Sequence, residues 1–346
     1  MDKKVIFAVA GSGKTRKIIS SLNDVKRTLI ITYTNANHEN IRERVLKKFG
    51  HWPNNITLET YFVFLYGFCS LPFIQKELDP NGLVFSQQAD KYARKDTLQH
   101  YFNKHNKIFS NRLAKLLIET GLIEKINARV EKYYEYVCID EIQDFAANDF
   151  NFLIKLFESN VSFLSVGDFY QHTFDTGSDG QTNINLHKNF DKYMQNFSKA
   201  GLVVDTVTLS KSFRCPEEIC NFVSDNLGIS ISSNKGISGS VQILNDIDTL
   251  ASIYKDNNVV KLFWDSSYKY QCFSNNWGKS KGIDSYNDVC IILTGTASSA
   301  YEKKELPNLS DIAKSKLYVA CTRANRNLYL ITDKVFKKFR NVNAQF

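Results

Sequence analysis

The chain has 346 residues, which is enough for two or three domains with a large buried core. Its formal net charge of +8 suits a polyanionic partner without identifying one. The seven cysteines include no CxxC pair and no Cys/His cluster at zinc spacing, which argues against a disulfide framework and predicts reduced thiols in a cytoplasmic protein. Every apolar run is shorter than a membrane span, and an apolar strand begins almost at the first residue. We therefore expect no membrane span and no signal peptide.

The first fifteen residues carry the strongest motif. An apolar strand over residues 3–8 leads into the segment Ala8-Val9-Ala10-Gly11-Ser12-Gly13-Lys14-Thr15. This pattern is typical of a phosphate-binding loop, whose backbone N–H groups surround nucleotide phosphates, although Ala8 replaces the usual first glycine. Lys14 is expected to reach the β- and γ-phosphates and the Thr15 hydroxyl to bind Mg²⁺. The predicted nucleotide-binding residues of this segment are Ala10, Gly11, Ser12, Gly13, Lys14, Thr15 and Arg16.

Strand and helix patterns alternate after this loop. An apolar run over residues 27–32 and an amphipathic helix over 38–49 complete a βαβα arrangement, which predicts a parallel sheet covered by helices. Residues 67–132 favour helix, are rich in Lys, Gln and Tyr, and contain a turn signal at 79–82. We expect a helical insertion over this range.

The strand pattern resumes beyond the insertion and predicts a second α/β lobe. A helix is expected over residues 309–322, and a Gly/Ser/Asn-rich stretch covers 228–240. Further strands are expected at residues 136–139, 161–166, 203–209, 241–244, 259–264, 289–293 and 328–332.

An acidic segment follows the strand at residues 136–139, with the sequence Asp140-Glu141-Ile142-Gln143-Asp144. In a doubly wound sheet, functional groups gather at the carboxyl ends of the strands, beside the phosphate loop. Asp140 is predicted to hold Mg²⁺ and Glu141 to polarise the attacking water. A solvated acidic turn is the alternative, but the apolar strand and the phosphate loop favour the catalytic interpretation.

The phosphate loop and the Asp-Glu-x-Gln-Asp segment together resemble superfamily 1 DNA helicases of the UvrD/Rep/PcrA type. Other signature segments of that family have counterparts in the same order, at residues 31–35, 57–64, 166–171, 209–214, 279–284 and 317–324. The resemblance therefore extends over nearly the whole chain.

This resemblance implies an α/β fold of two RecA-like P-loop motor lobes with parallel sheets. The first lobe would comprise residues 1–66 and 133–206, the small helical insertion residues 67–132, and the second lobe residues 207–346. Residues 215–277 are too few for the accessory subdomain that the family carries at that place, so the chain resembles a short form.

The resemblance also implies roles for individual residues. Gln171 would sense the γ-phosphate, Arg214 would contact it, and Arg323 would act as the arginine finger. Phe213 would stack on the adenine and Asp284 would lie near the ribose. The nucleic-acid contacts carried over in the same way are Tyr33, Thr34, Asn35, Thr60, Tyr61 and Phe174.

The implied function is an ATP-dependent translocase or helicase on single-stranded or tailed duplex DNA, of 3′-to-5′ polarity, with ATP and Mg²⁺ as cofactors. An alternative is a DNA-gated ATPase switch that acts with a partner nuclease, for example in anti-phage defence. It is motivated by the missing subdomain and by Phe62, Asp175 and Gly278, which replace family residues. An RNA motor is a third interpretation.

Overall fold

The computed structural model describes residues 2–87, 89, 90, 92–94, 96–173, 179–234, 236 and 238–342. Its contacts divide the chain into two compact units, which we describe separately. The first unit takes its residues from 1–7, 14–167 and 175–206, and the second from 8–13, 168–174 and 207–346. The phosphate loop and the segment around Gln171 are thus grouped with the second unit, whereas the sequence placed them in the first lobe.

The strands of the first unit form a parallel sheet of six strands in the order β3-β2-β6-β7-β1-β8, and β4 pairs with β5 outside it. All five residues of β2 are buried, as expected for an inner strand of a sheet that is covered on both faces. The strands are β1 Lys3–Phe7, β2 Thr28–Thr32, β3 Ile56–Thr60, β4 Leu83–Val84, β5 Ile108–Phe109, β6 Tyr136–Ile139, β7 Ser162–Gly167 and β8 Val203–Asp205.

Helices surround this sheet and fill the insertion. Helix α2 begins earlier than the sequence pattern suggested because the Thr34 side chain accepts a hydrogen bond from the Asn37 N–H, which caps its first turn. A π-helical segment, Phe64–Ser70, separates α3 from α4. The helices are α1 Lys14–Ser21, α2 Asn35–Phe49, α3 Tyr61–Val63, α4 Leu71–Leu78, α5 Ser110–Glu119, α6 Ile123–Tyr133, α7 Ala147–Leu156 and α8 Phe190–Lys199.

The second unit contains a parallel sheet of five strands in the order β11-β15-β14-β12-β13, and a separate pair, β9 and β10. Its strands are β9 Lys211–Ser212, β10 Ser232–Ser233, β11 Ser240–Leu244, β12 Val259–Phe263, β13 Ser274–Asn276, β14 Asp288–Ile292 and β15 Asn327–Ile331. Its helices are α9 Glu217–Leu227, α10 Ile247–Lys255, α11 Gly295–Glu302, α12 Asp311–Cys321 and α13 Asp333–Val342.

Two apolar clusters pack on this second sheet. One contains Trp277 together with Leu317 of α12, and the other contains Tyr254 of α10 together with Phe336 and Phe339 of α13. Both units therefore have the parallel α/β architecture that the sequence predicted. All seven cysteines are free thiols. In the part of the chain that the structure describes, every helix is too short or too polar to cross a bilayer.

Candidate functional site

The predicted phosphate loop leads from β1 to α1 through two left-handed glycines. Gly11 has a φ of +71° and Gly13 a φ of +92°, which L side chains adopt only with strain. A Cβ atom on Gly11 would also lie 2.5 Å from Cβ of Arg214, within the second unit. The loop ends at Lys14, where α1 begins and its N-terminal N–H groups favour an anion.

The other predicted loop residues differ in exposure. The Ala10 and Ser12 side chains are buried, and the Ser12 hydroxyl donates a hydrogen bond to the Val9 carbonyl at 2.7 Å. Thr15 is half-buried in the first turn of α1, and Arg16 is exposed. The loop is thus a compact turn whose backbone and first helical turn form the candidate phosphate site.

Lys14 and Glu141 face each other in the first unit. The Lys14 ammonium lies 3.9 Å from a Glu141 carboxylate oxygen, and both side chains are largely buried. Gln143 donates a hydrogen bond to the same carboxylate. Asp140, which follows β6, is buried and accepts a hydrogen bond from the Glu141 N–H at 3.1 Å. The predicted Lys, Asp and Glu therefore gather where β1 and β6 end.

The acidic turn is held against the end of β7. Glu141 has a φ of +54°, an uncommon conformation for a residue with a side chain. A Cβ atom on Gly167 would lie 2.6 Å from Cγ2 of Ile142, so only glycine leaves room for this turn. The strained backbone of Glu141 and the close approach at Gly167 fix the direction of the carboxylate.

The oxygen donors at this place fit Mg²⁺. A carboxylate from Asp140 and a hydroxyl from Thr15 are the hard ligands that Mg²⁺ prefers. Thr15 directly follows Lys14, and Asp140 directly precedes Glu141. The Lys14 ammonium lies 3.9 Å from the Glu141 carboxylate, so this ion pair brings the two candidate ligands into the same region. Among the described residues, no cluster of three or more His, Cys, Asp or Glu side chains forms a metal cage. One or two protein ligands, with substrate phosphates and water, are the usual arrangement for Mg²⁺.

Arg214, Asp284 and Arg323 form one charged cluster in the second unit. Arg214 pairs with the Asp284 carboxylate and donates a hydrogen bond to the Thr322 carbonyl at 3.3 Å. Arg323 is 1% exposed, and its guanidinium lies 3.5 Å from the same Asp284 oxygen. Burial, followed by the neighbouring Arg214, lowers the pKa of Arg323 to about 10, so it stays protonated at neutral pH. The cluster has a net charge of +1.

Gln171 and Phe213 occupy different environments in that unit. Gln171 is buried at the end of a 3₁₀ turn, Phe169–Gln171, in which the Tyr170 N–H donates a hydrogen bond to the Asp168 side chain. Phe213 is 55% exposed, and its N–H donates a hydrogen bond to the Gly11 carbonyl at 2.9 Å. The backbone of Phe213 is thus hydrogen-bonded to the phosphate loop and its ring is exposed, whereas adenine stacking stays a prediction.

Four of the predicted nucleic-acid residues line one cavity of the first unit, with a volume of about 620 Å³. Phe85, which is 64% exposed, lies edge-on to Phe62 with 5.1 Å between ring centroids. Phe62 in turn lies 5.8 Å from Tyr33. The lining residues are Tyr33, Thr34, Asn35, Thr60, Phe62, Val63, Tyr66, Gly67, Leu83 and Phe85. We call this the aromatic cavity.

Tyr61 requires a correction, because its side chain is only 1% exposed and offers no ring face to a base. It stacks beneath Tyr33 with 5.7 Å between centroids, and its hydroxyl donates to Asp149 at 3.0 Å. The Tyr33 hydroxyl donates to the other Asp149 oxygen at 3.3 Å. Tyr61 thus supports Tyr33 instead of contacting nucleic acid. Phe174 lies outside the described residues.

Sequence reasoning missed three features of these sites. Phe85 lies in the insertion and belongs to no motif, and an exposed aromatic residue near a turn was the sole signal for it. Asp149 stands five residues after the acidic segment, where its burial in α7 gave no sequence signal. The pairing of Asp284 with both arginines joins residues that are 70 and 39 positions apart.

Comparison with known proteins agrees with the fold. No curated protein sequence matches the chain. The structure of arterivirus nonstructural protein 10, a helicase, in complex with DNA is similar with a TM-score of 0.52 and 12% sequence identity, covering 98% of this chain and 62% of that chain. A structure of arterivirus nonstructural protein 10 (helicase) gives a TM-score of 0.49 and 15% identity, covering 98% of this chain and 61% of that chain.

The chain thus spans about three fifths of the length of the helicase structures that it matches. At 12% identity, the likeness to the DNA complex shows that the two proteins share a fold with RecA-like units, as predicted. The narrower UvrD/Rep/PcrA assignment stays a prediction. The family model described as an AAA domain, AAA_19, matches residues 2–175, which is half of the chain. The chain therefore belongs to the AAA_19 family of AAA domains.

Proposed function

We propose that the chain is an ATP-dependent superfamily 1 motor that moves along single-stranded DNA with 3′-to-5′ polarity and separates tailed duplexes. The observation that carries this proposal is the Lys14–Glu141 pair beside Asp140, at the end of a phosphate loop. Phosphoryl transfer requires positioned charges and a positioned water more than covalent catalysis, and these are the residues that supply them.

Each charged residue has a separate proposed task in hydrolysis. Lys14 binds the β- and γ-phosphates, and Glu141 accepts a hydrogen bond from the attacking water and orients it. To neutralise charge that develops on the γ-phosphate, Arg214 and the buried Arg323 would exchange their Asp284 partner for a phosphate oxygen. Bound to Thr15 and Asp140, Mg²⁺ would neutralise charge on the phosphate oxygens.

The largely buried position of Lys14 and Glu141 supports these roles. Solvent competes weakly for such side chains, so their interaction with a phosphate is stronger than at the surface. The left-handed backbone of Glu141 is the kind of local strain that functional sites maintain.

The aromatic cavity is the proposed nucleic-acid site. Tyr33, Phe62 and Phe85 offer ring faces and edges to unstacked bases, and Thr34, Asn35 and Thr60 add polar groups. Stacking on aromatic rings tolerates every base, which a motor that moves along DNA of any sequence needs. The net charge of +8 favours a polyanion.

Strand displacement tests the proposal. Duplexes with a 3′ or a 5′ single-stranded tail are incubated with ATP and Mg²⁺, and separation of the strands is followed by fluorescence. We expect separation of the 3′-tailed duplex alone, and none with Glu141→Gln. Separation of neither substrate, with no movement on single strands, would contradict the motor.

A second candidate function is a DNA-gated ATPase switch that serves a partner nuclease. The observation that favours it is the short segment over residues 215–277, between two of the signature segments. Its described strands and helices all belong to the second unit, which leaves no separate accessory subdomain among the described residues of this segment. DNA-stimulated hydrolysis without strand separation would support this switch. Comparing the stimulation of ATP hydrolysis by matched DNA and RNA oligonucleotides distinguishes an RNA motor from both the DNA motor and the DNA-gated switch.

A further inference from the structure

Tyr318 of α12 is a fully buried tyrosine whose hydroxyl makes two hydrogen bonds within the second unit. The hydroxyl donates to an Asp168 carboxylate oxygen at 3.0 Å. It accepts a hydrogen bond from the Ala10 N–H at 2.9 Å. One oxygen atom therefore joins the phosphate loop, α12 and the turn that carries Gln171.

Both partners of this hydroxyl are themselves buried and belong to the candidate nucleotide site. Ala10 lies in the phosphate loop, next to the left-handed Gly11. The other oxygen of Asp168 accepts the Tyr170 N–H at 3.1 Å, and the Asp168 carbonyl accepts the Gln171 N–H at 2.9 Å. Asp168 therefore shapes the turn of Gln171 while it holds Tyr318.

The same helix connects Tyr318 to the arginine cluster. The Thr322 hydroxyl donates to the Tyr318 carbonyl at 2.8 Å, and the Thr322 carbonyl accepts a hydrogen bond from Arg214. Arg323 is the next residue. A shift of Tyr318 along the axis of α12 would thus move the anchoring point of Arg214 and Arg323 together.

We propose that Tyr318 is a positioning residue for ATP hydrolysis, which fixes the phosphate loop, the Gln171 turn and the Arg323 end of α12 in one arrangement. This inference rests on the proposed ATPase function. The hydroxyl acts on the rate of hydrolysis more than on nucleotide affinity, because its partners are a single loop N–H and a turn-forming carboxylate. We assign phosphate binding to the side chain of neither Ala10 nor Asp168.

Removal of the hydroxyl leaves two buried polar groups without this partner. Ala10 loses the acceptor of its N–H, and Asp168 loses a hydrogen-bond donor. Loss of a hydrogen bond by a buried polar group costs free energy, so the loop and the turn would rearrange to find other partners. The aromatic ring stays in the core in either case, which separates the effect of the hydroxyl from that of packing.

Tyr318→Phe is the variant that tests this inference. The matched control is Tyr254→Phe, which removes a hydroxyl from a buried tyrosine of α10 in the other apolar cluster of the same unit. We measure kcat and KM for ATP with saturating single-stranded DNA, the Kd of a fluorescent ATP analogue, and Tm. We expect kcat of Tyr318→Phe to fall about tenfold or more, with the Kd changed less than about threefold. Tyr254→Phe should retain native kcat and Kd.

Asp168→Asn perturbs the same contact from its other side and leaves the tyrosine in place. Because Tyr318 and Asp168 share a hydrogen bond, the double variant should lose less activity than the product of the two single losses. A kcat of Tyr318→Phe within about twofold of native, a Kd that weakens as much as kcat falls, or multiplicative effects in the double variant would each overturn the inference. If the native protein does not hydrolyse ATP, the proposed function fails and this inference fails with it.

Discussion

Asp149 is a buried carboxylate that receives two tyrosine hydroxyls, from Tyr33 and Tyr61. Burial raises its pKa from 3.8 to about 7, although both hydrogen bonds act in the opposite direction. The folded protein therefore binds this proton more tightly than the unfolded chain does. Stability from this group is present at pH 4 and is lost as the pH rises toward 7.

The variant Asp149→Asn should abolish this pH dependence. A rise of the pKa from 3.8 to about 7 corresponds to about 4 kcal/mol in the free energy of unfolding between pH 4 and pH 8, so the variant should be the more stable protein at pH 8. Denaturant unfolding at several pH values measures it, with Asp24→Asn as an exposed control of equal charge change in the same unit. Parallel pH profiles for native and Asp149→Asn would contradict the assignment.

Phe85 is the exposed wall of the aromatic cavity, and its contribution to nucleic-acid binding can be measured directly. Loss of one stacking ring costs about 1–3 kcal/mol, so Phe85→Ala should weaken binding of a labelled single strand by about fivefold to more than a hundredfold. The control is Tyr92→Ala, which removes an exposed ring of the same unit from outside the cavity lining. Anisotropy titrations that show equal losses for both variants would exclude the cavity as the binding site.

Among the elements, apolar runs predicted eight of the described strands to within one or two residues, because buried parallel strands are apolar on both faces. These strands are β1, β2, β6, β7, β11, β12, β14 and β15. The strands β3, β4, β5, β9, β10 and β13 were not predicted. The expected strand at 203–209 ends at Asp205, and Val207 beyond it is exposed. At this edge of the sheet, apolar residues do not indicate burial.

The helices α7, α8, α9, α10, α11 and α13 were not predicted. They are 8 to 11 residues long. In α8, α10, α11 and α13 at most two apolar residues are buried, too few for a helical pattern to stand out in the sequence. Helix α13 is an example, since its buried face consists of Phe336 and Phe339 among exposed lysines.

Packing of α13 should make a large contribution to the second unit. Phe336 is buried against Tyr254 and Phe339, so Phe336→Ala should lower the free energy of unfolding by about 3–5 kcal/mol. Lys337→Ala, on the exposed side of α13, removes a surface ion pair with Asp333. It should change the free energy of unfolding by less than about 1 kcal/mol. Urea unfolding measures both, and equal effects would contradict this packing.

The residues of the candidate site could be predicted where they stand in short linear motifs. They could not be predicted where the site depends on contacts between residues that are far apart in the sequence. The phosphate loop, the acidic segment and the two arginines each stand in a recognisable run of residues. Tyr318 contacts Ala10 across 308 positions and Asp168 across 150, so its role emerges only from the fold. The burial of Tyr61 also emerges only from the fold, because the motif specifies a residue type and not whether its side chain is buried.

At the scale of the whole molecule, the basic charge and the proposed DNA site predict steep salt dependence. Each lysine or arginine that neutralises a phosphate releases counterions, so affinity for single-stranded DNA should fall linearly on logarithmic axes as salt rises. Binding titrations at salt concentrations from about 50 to about 200 mM measure the slope of log affinity against log salt, because such contacts weaken over roughly this range. A slope near zero would exclude a backbone-binding site.

The two units contribute different parts of the proposed reaction. Lys14, Asp140 and Glu141 belong to the first unit, whereas Arg214 and Arg323 belong to the second. Above all, we propose that this chain hydrolyses ATP in response to DNA, with Glu141 orienting the water.

The most direct test is steady-state ATP hydrolysis with and without single-stranded DNA, for the native chain and for Glu141→Gln. We expect DNA to stimulate hydrolysis strongly in the native protein. We expect the variant to lose at least about a hundredfold in hydrolysis rate and still to bind a fluorescent ATP analogue. Native hydrolysis that is unchanged by DNA, or a variant as active as the native protein, would contradict the proposed function.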